Sequence, residues 1–238
     1  TQTLPLVEGF SGAFVPANWS NNDLANDGFI WLKNTSVGGY GTSSECAWFE
    51  NYTNNSAGSY DELWTPIYNA SSSSSLSLSF DVAYARYNGT YSDTMAVLVS
   101  TDCGTTFTQV WMQGGSTLAT APDNTNSFTP SSSQWKTINV NLNAYAGQSS
   151  LVVVFRNIGR WGNNLYLDNI NLSGGVQKPV ASFTPSSTSI CPNDCVSFND
   201  NSTNSPTSWS WTFNGGNPSS SNSQNPTNIC YANAETYN

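Results

Sequence analysis

The sequence predicts an all-β protein built as two successive β-sandwiches. Short alternating or apolar runs recur between clusters of Gly, Asn, Ser and Pro, and helical periodicity is nearly absent. The 9 Trp, 11 Tyr and 11 Phe outnumber the 6 basic and 15 acidic residues, so the chain can bury enough apolar surface to build cores. Aromatic residues and Thr also favour strands. These observations argue against a helical fold and against a disordered chain.

The first sandwich contains six strongly predicted strands. In the first of them, Leu76, Phe80 and Tyr84 share one face, because side chains alternate along a strand. Ile138 and Val140 alternate in the same way in the fourth strand. In chain order the six strands are Leu76–Ala85, Thr94–Ser100, Phe107–Gln113, Lys136–Leu142, Ser150–Asn157 and Asn164–Leu172.

A domain boundary follows the last of these strands, where Ser173–Pro179 combines Gly-Gly with Pro. We therefore divide the chain into a first domain at 1–174, a linker at 175–179 and a second domain at 180–238. In the second domain, short alternating segments separated by turns predict an immunoglobulin-like sandwich. We expect this domain to be incomplete at its C-terminal end.

Composition excludes several classes of function. The chain has no His, which removes catalytic triads and zinc helices that need imidazole. A net charge of −9 argues against nucleic-acid binding. The longest dense apolar run, Leu151–Phe155, is too short for membrane insertion. Abundant Ser, Thr and Asn favour an extracellular or cell-surface location, and we expect no catalytic residues.

Five cysteines fit an oxidising compartment and leave one unpaired. Because the cysteines separate into two groups along the chain, we expect one disulfide in each domain. Cys46 pairs with Cys103 in the first domain. In the second, Cys230 pairs with either Cys191 or Cys195.

The second domain carries alternating aromatic residues followed by glycines. The motif consists of Trp209, Trp211, Phe213, Gly215 and Gly216, then Asn225, Pro226 and Tyr237. This pattern resembles the PKD domain, an immunoglobulin-like repeat of bacterial surface proteins and secreted hydrolases. The resemblance implies a spacer or interaction module without chemistry of its own.

The first domain carries a series of short motifs. They are Val7–Phe10 with Trp19, Asp61–Pro66, Ser100–Phe107, and Asn163–Ile170. The series resembles a MAM-like jelly roll, of the kind appended to secreted metalloproteases and adhesins of gliding bacteria that are cargo of type IX secretion. If the parent protein is a protease, the resemblance implies that its catalytic domain lies outside this chain.

The MAM-like resemblance also implies a structural calcium ion between the first and last strands. Glu8 opens the first strand pattern, and Asp168 lies inside the last one, where a carboxylate needs a partner. Because calcium prefers oxygen ligands and the chain has few cationic side chains, we predict Glu8 and Asp168 as ligands. Asp23 and Asp27 are weaker candidates. The alternative is that Asp168 faces solvent or accepts backbone hydrogen bonds.

Two stretches combine aromatic with polar residues and predict a glycan-binding surface, since sugar faces stack on Trp and Tyr. Arg160, Trp161 and Asn163 form one stretch, and Tyr87 and Tyr91 lie on the other. The alternative is that these aromatic side chains belong to the core, which is the commoner role of Trp.

A single threonine is a candidate modification site. Asp93-Thr94-Met95 matches the pattern that similar secreted bacterial proteins use for O-glycosylation, which makes Thr94 a candidate.

We therefore expect a non-catalytic, calcium-stabilised binding or adhesion module of a larger secreted or surface bacterial protein, with a glycan or a protein as ligand. One alternative is a structural repeat or cargo unit of a surface filament or secretion-system assembly. The other is a hydrolase that uses paired carboxylates such as Asp61 and Glu62.

Overall fold

The structure is a computed structural model that describes residues 1–54, 57–176 and 178–237. The chain divides into two compact units, Thr1–Val176 and Gln177–Asn238. The division falls inside the linker predicted at 175–179. The regular secondary structure of the described residues is nearly all β-strand, which confirms the predicted all-β class.

The described residues of the N-terminal unit form thirteen strands and three short helical turns. The strands are β1 (Gln2–Thr3), β2 (Leu6–Glu8), β3 (Ser20–Asn22), β4 (Leu32–Asn34), β5 (Cys46–Phe49), β6 (Tyr60–Trp64), β7 (Tyr68–Asn69), β8 (Ser73–Tyr84), β9 (Thr94–Ser100), β10 (Thr108–Gly114), β11 (Lys136–Asn141), β12 (Val152–Ile158) and β13 (Leu165–Val176). The helical turns are Gly39–Gly41, Gly115–Leu118 and Asn143–Tyr145.

Two antiparallel sheets of this unit make a jelly-roll β-sandwich, and β1 and β7 form a separate two-stranded parallel sheet. One sheet has the order β10-β9-β12-β6-β3, and the other has the order β11-β8-β13-β5-β4 with β2 paired to β13. Strands distant in sequence are neighbours within each sheet, so most pairing is non-local. The core lies between the sheets, and the alternating face predicted for Leu76, Phe80 and Tyr84 is buried in it.

The first four residues of strand β12, from Val152 to Phe155, are apolar and buried on both faces. Val153 and Phe155 point into the core between the sheets. Val152 and Val154 belong to a second cluster on the opposite face of the sheet, against which Trp64 packs. This second layer explains why the strand has a continuous apolar sequence, whereas β8 and β11 alternate.

The C-terminal unit contains seven short strands. They are β14 (Phe183–Pro185), β15 (Cys195–Val196), β16 (Phe198–Asp200), β17 (Trp211–Thr212), β18 (Gly216–Asn217), β19 (Ser220–Ser221) and β20 (Ile229–Tyr231). A small core of Val196, Phe213, Ile229 and Tyr231 holds them together.

The structure pairs Cys195 with Cys230, which are opposite one another on β15 and β20, and leaves Cys191 free. The predicted Cys46–Cys103 disulfide is wrong. Cys46 is buried on β5 in one sheet of the jelly roll, whereas Cys103 is exposed in the turn that follows β9 in the other sheet. Among the described residues, no helix has the length and apolar character needed to cross a membrane.

Candidate functional site

An aromatic pocket lies at one end of the jelly roll, and it joins the two stretches predicted to bind a ligand. Trp161 packs edge-on against Tyr91, with ring centroids 5.9 Å apart. Tyr91 packs against Tyr87 at 6.3 Å, and Tyr87 against Tyr52 at 6.5 Å. The pocket has a volume of about 450 Å³. Four aromatic rings from three separate loops therefore form one continuous surface.

The rings of this pocket are accessible to a ligand. Trp161, Tyr91 and Tyr52 are 45%, 40% and 38% exposed, so three large apolar side chains face solvent at one place. Tyr52 was not predicted, because it follows β5 and lies far from the other rings in sequence. The aromatic composition of its own segment gave no sign of this neighbourhood.

The loop that carries Tyr87 and Tyr91 is held by a local turn. The Asn88 side-chain oxygen accepts hydrogen bonds from the backbone N–H groups of Thr90 and Tyr91. The Asn88 N–H in turn donates to the Tyr91 carbonyl. Such turns use the short Asn side chain to replace a backbone acceptor, and this one fixes the position of Tyr91 relative to Tyr87.

The Trp161 loop is anchored by the buried carboxylate of Asp93. This carboxylate accepts hydrogen bonds from the backbone N–H groups of Arg160, Gly162 and Asn163, at 2.7, 3.0 and 2.8 Å. The Tyr84 hydroxyl adds a fourth at 3.2 Å. Burial raises the pKa of Asp93, and the backbone donors oppose that shift. Asp93 thus acts as a positioning residue for the exposed Trp161.

Of the two predicted ligand-binding residues beside Trp161, one is exposed and the other is buried. Arg160 is exposed next to the pocket. Asn163 is fully buried, and its amide is committed to the loop: it donates to the carbonyls of Asn124 and Asn126 and accepts from the Phe128 N–H. The prediction that Asn163 contacts a ligand is therefore corrected, because the side chain stabilises the wall behind the pocket instead.

Strands β2 and β13 pair, as the calcium prediction requires, with Glu8 opposite Ile170. Asp168 is fully buried and lies opposite Asp81 on β8. Its Oδ2 accepts hydrogen bonds from the Gly39 N–H and the Ser43 hydroxyl, and its Oδ1 accepts one from the Asn169 N–H. Burial, followed by the nearby Asp81 charge, raises the pKa of Asp168.

Asp168 and Glu8 offer carboxylate oxygens, the ligand type that a hard cation prefers, whereas the described groups bonded to Asp168 are N–H and O–H donors. A carboxylate offers about four acceptor positions, and Asp168 uses three of them, so one remains on Oδ1, next to Gly9. Glu8 Oε1 accepts the Phe10 N–H at 2.6 Å. A β-bulge at Asn169 sends the side chain of this residue to Asp81. Calcium at Glu8 and Asp168 stays a prediction.

Asp23 and Asp27 lie elsewhere than at the Glu8–Asp168 pair. Together with Asp61 they form a group in which one carboxylate oxygen from each residue lies within 4.8 Å of the others. Asp61 is on β6, in the five-stranded sheet, whereas Asp168 is on β13 in the other sheet. The expectation that Asp23 and Asp27 add ligands to the Glu8–Asp168 site is therefore corrected.

Two remaining predictions concern Thr94 and the paired carboxylates. Thr94 begins β9 and is half-buried against Gly114, and its glycosylation stays a prediction. Glu62 is engaged on both oxygens, by the Arg156 guanidinium and by the Trp64 indole N–H. Asp61 points to the opposite face of the same strand, so the two carboxylates do not flank a common substrate position.

A second cavity, of about 860 Å³, lies in the C-terminal unit. Its lining includes Phe183, Phe198 and Trp211, whose rings pack on one another with centroids 5.5 to 6.0 Å apart. Phe198 and Trp211 pack against the small core of that unit, whereas Phe183 is 55% exposed. The aromatic pocket of the N-terminal unit is the stronger candidate because its rings include residues of both stretches that the sequence predicts to bind a ligand.

Comparisons with known proteins show the fold. No protein-family model and no curated protein matches the chain. Among solved structures, the K1 cleaved adhesin domain of Lys-gingipain from Porphyromonas gingivalis W83 is similar, with a TM-score of 0.54, 19% identity, and coverage of 72% of this chain and 99% of that domain. The K3 domain gives 0.51 and 20%, with coverage of 71% and 98%.

A family 22 carbohydrate-binding module from Clostridium thermocellum aligns less closely. Its TM-score is 0.46 at 12% identity, with coverage of 71% of this chain and 92% of that one. The gingipain domains thus share the β-sandwich fold of this protein.

Proposed function

We propose that this chain is a non-catalytic binding or adhesion module of a larger secreted or surface bacterial protein, and that its N-terminal unit binds a glycan at the aromatic pocket. The observation that carries this proposal is the continuous surface formed by Trp161, Tyr91, Tyr87 and Tyr52. Faces of sugar rings stack on aromatic side chains, and a shallow pocket of this size suits one or two sugar units.

The rigidity of the pocket supports the proposal. Asp93 holds the Trp161 loop by three backbone hydrogen bonds, and Asn88 holds the turn before Tyr91. A binding surface that is already ordered loses little conformational entropy when the ligand arrives. Arg160 lies exposed at its margin and supplies donors for sugar hydroxyls.

The wider context supports an adhesion role. The two gingipain domains that share this fold carry the name adhesin domain. The PKD-like C-terminal unit fits a spacer, the MAM-like motifs fit cargo of type IX secretion, and a structural calcium at Glu8 and Asp168 fits an extracellular module. The second candidate function is a structural repeat of a surface assembly, in which another protein covers the pocket.

Glycan-array binding tests the proposal. We expect Trp161→Ala to weaken binding of the wild-type glycans about tenfold, since one lost stacking contact corresponds to about 1.4 kcal/mol. Tyr60→Ala is the control, because Tyr60 is a 41% exposed ring on β6 that does not line the pocket. Equal binding by the two variants would contradict the proposed site, and an empty wild-type array would favour the structural repeat.

A further inference from the structure

A group of three carboxylates lies outside the aromatic pocket. Asp23, Asp27 and Asp61 each place one oxygen within 4.8 Å of the others. We call this group the Asp61 cluster. Three carboxylates at this separation repel one another strongly unless a cation lies between them.

The loop that follows β3 is folded around its own carboxylates. Asp23 accepts the N–H groups of Asp27 and Gly28 at 3.1 and 2.9 Å. Asp27 Oδ1 accepts the Phe29 N–H at 3.0 Å. Positive φ angles at Asn26 and Gly28, of 53° and 84°, allow the loop to turn this tightly. These bonds hold Asp23 and Asp27 in place beside Asp61.

The base of the loop is closed by a separate side chain. The Asn21 amide donates to the Trp31 carbonyl at 2.7 Å and accepts the Trp31 N–H at 3.2 Å. The indole of Trp31 is fully buried and points its N–H at the Asp61 carbonyl, 3.4 Å away. The loop is therefore tied to the strand that carries Asp61.

Asp61 itself gives an independent sign of a ligand. It is fully buried and shares the core-facing side of β6 with Leu63. Its Oδ1 accepts the N–H groups of Leu24 and Ala25, at 3.1 and 3.5 Å, but its buried Oδ2 has no hydrogen-bond partner in the described part of the chain. An ionised oxygen buried without a partner is strongly unfavourable, so this atom requires a cation or a proton.

Among the described residues, no ion pair supplies the missing charge at Asp61. Within the described residues, Lys33, Arg86 and Arg156 form ion pairs with other carboxylates, and neither Asp23 nor Asp61 has such a pair. Burial first, and then the charges of Asp27 and Asp23, raise the pKa of Asp61 to about 6. Without a bound cation, the cluster therefore favours the protonated form of Asp61.

We propose that Asp23, Asp27 and Asp61 bind a calcium ion that fastens the 23–29 loop to strand β6. The donors are all oxygen atoms, which select a hard cation over zinc or copper. Calcium accepts irregular sets of carboxylate and backbone oxygens, whereas magnesium demands a near-octahedral arrangement. This site is separate from the one predicted at Glu8 and Asp168 and does not depend on the aromatic pocket.

Calorimetric titration of EDTA-stripped protein with CaCl₂ at pH 7.5 tests the site. We expect Asp27→Asn and Asp61→Asn each to weaken one binding step by at least a hundredfold. Asp123→Asn removes an exposed carboxylate that pairs with Arg86 and leaves every step unchanged. We expect Asp168→Asn to leave the binding step of the Asp61 cluster unchanged, so that a calcium site at Glu8 and Asp168 is measured separately.

Each outcome of this titration decides the proposal. Because Asp27 is exposed, Asp27→Asn tests the site even if Asp61→Asn disturbs folding. Identical isotherms for wild type and Asp27→Asn would overturn the site, and equal affinity for MgCl₂ would overturn the assignment to calcium. At pH 5 we expect wild-type affinity to fall about tenfold, because a proton on Asp61 then competes with the metal.

Discussion

Two of the places where the jelly roll buries negative charge compensate it differently. At the Asp81–Asp168 pair, both carboxylates receive protein donors: Gly39 and Ser43 on Asp168, and Thr137 and Asn169 on Asp81. At the Asp61 cluster, a buried oxygen of Asp61 has no donor among the described residues.

The difference shows that burial alone does not identify a metal site. Asp168 and Asp61 are both fully buried, and burial raises the pKa of each. What separates them is the number of acceptor positions already filled by the protein. A buried carboxylate whose two oxygens both accept hydrogen bonds stabilises the fold, whereas one with a buried oxygen that accepts none destabilises it until a ligand arrives.

Truncation of the two carboxylates gives the largest expected contrast. In EDTA, we expect Asp168→Ala to lower the free energy of unfolding by about 3 kcal/mol, because it strands the buried N–H of Gly39 and the N–H of Asn169. Asp61→Ala removes an unfavourable buried charge together with two loop hydrogen bonds, so its cost is about 1 kcal/mol or less. Urea denaturation measures both values. Equal losses in the free energy of unfolding would contradict the proposed difference between Asp168 and Asp61.

The pH dependence of stability isolates the Asp61 cluster. The folded-state pKa of Asp61 is raised from 3.8 to about 6, so its contribution to stability is fully present below pH 4 and is lost as the pH rises through 6. In EDTA this loss amounts to about 2 kcal/mol between pH 4 and 7.5.

Other groups contribute to the same profile, and a variant separates them. Burial also raises the pKa values of Asp93 and Asp168, so their contributions have the same sign. The difference between the urea profiles of wild type and Asp61→Asn therefore gives the share of Asp61. Saturating calcium should flatten that difference, and a profile unaffected by Asp61→Asn would contradict the raised pKa.

The sequence predicted local features well. An apolar run located β9 at its observed bounds, Thr94–Ser100. The composition of two loops identified Trp161 and Tyr91 as candidates, although it did not show that the two rings share one pocket. The sequence also identified Asp168 as unusual, because an acidic residue within an apolar strand can be recognised from the sequence of that strand alone.

Long-range neighbours were not predictable in the same way. Period-two alternation tells which face a side chain occupies but not which strand lies beside it. Asp61 meets a loop 37 residues earlier, and Asp168 meets Asp81 across a register that a bulge shifts. The incorrect Cys46–Cys103 disulfide has the same cause, because the sequence does not state that the two cysteines belong to opposite sheets.

Two glycines test the difference between the two acidic groups with the smallest change in side chain, because one lies beside each group. A Cβ on Gly39 would lie 3.0 Å from Asp81 Oδ2 and 3.2 Å from Asp168 Oδ2, and it would displace the Asn169 amide from Asp81. We expect Gly39→Ala to cost about 2 kcal/mol, the value of a hydrogen bond to a charged group.

Gly28 lies in open space beside the Asp61 cluster, with a φ of 84°. Gly28→Ala should therefore cost about 1 kcal/mol through backbone strain alone. Urea denaturation in EDTA gives both values, and Asn169→Ala supplies the control. If the Asn169 amide carries the penalty, Gly39→Ala should cost much less in the Asn169→Ala background, whereas the cost of Gly28→Ala should not change. An unchanged cost of Gly39→Ala would mean that the acidic pair is limited by packing rather than by its hydrogen bonds.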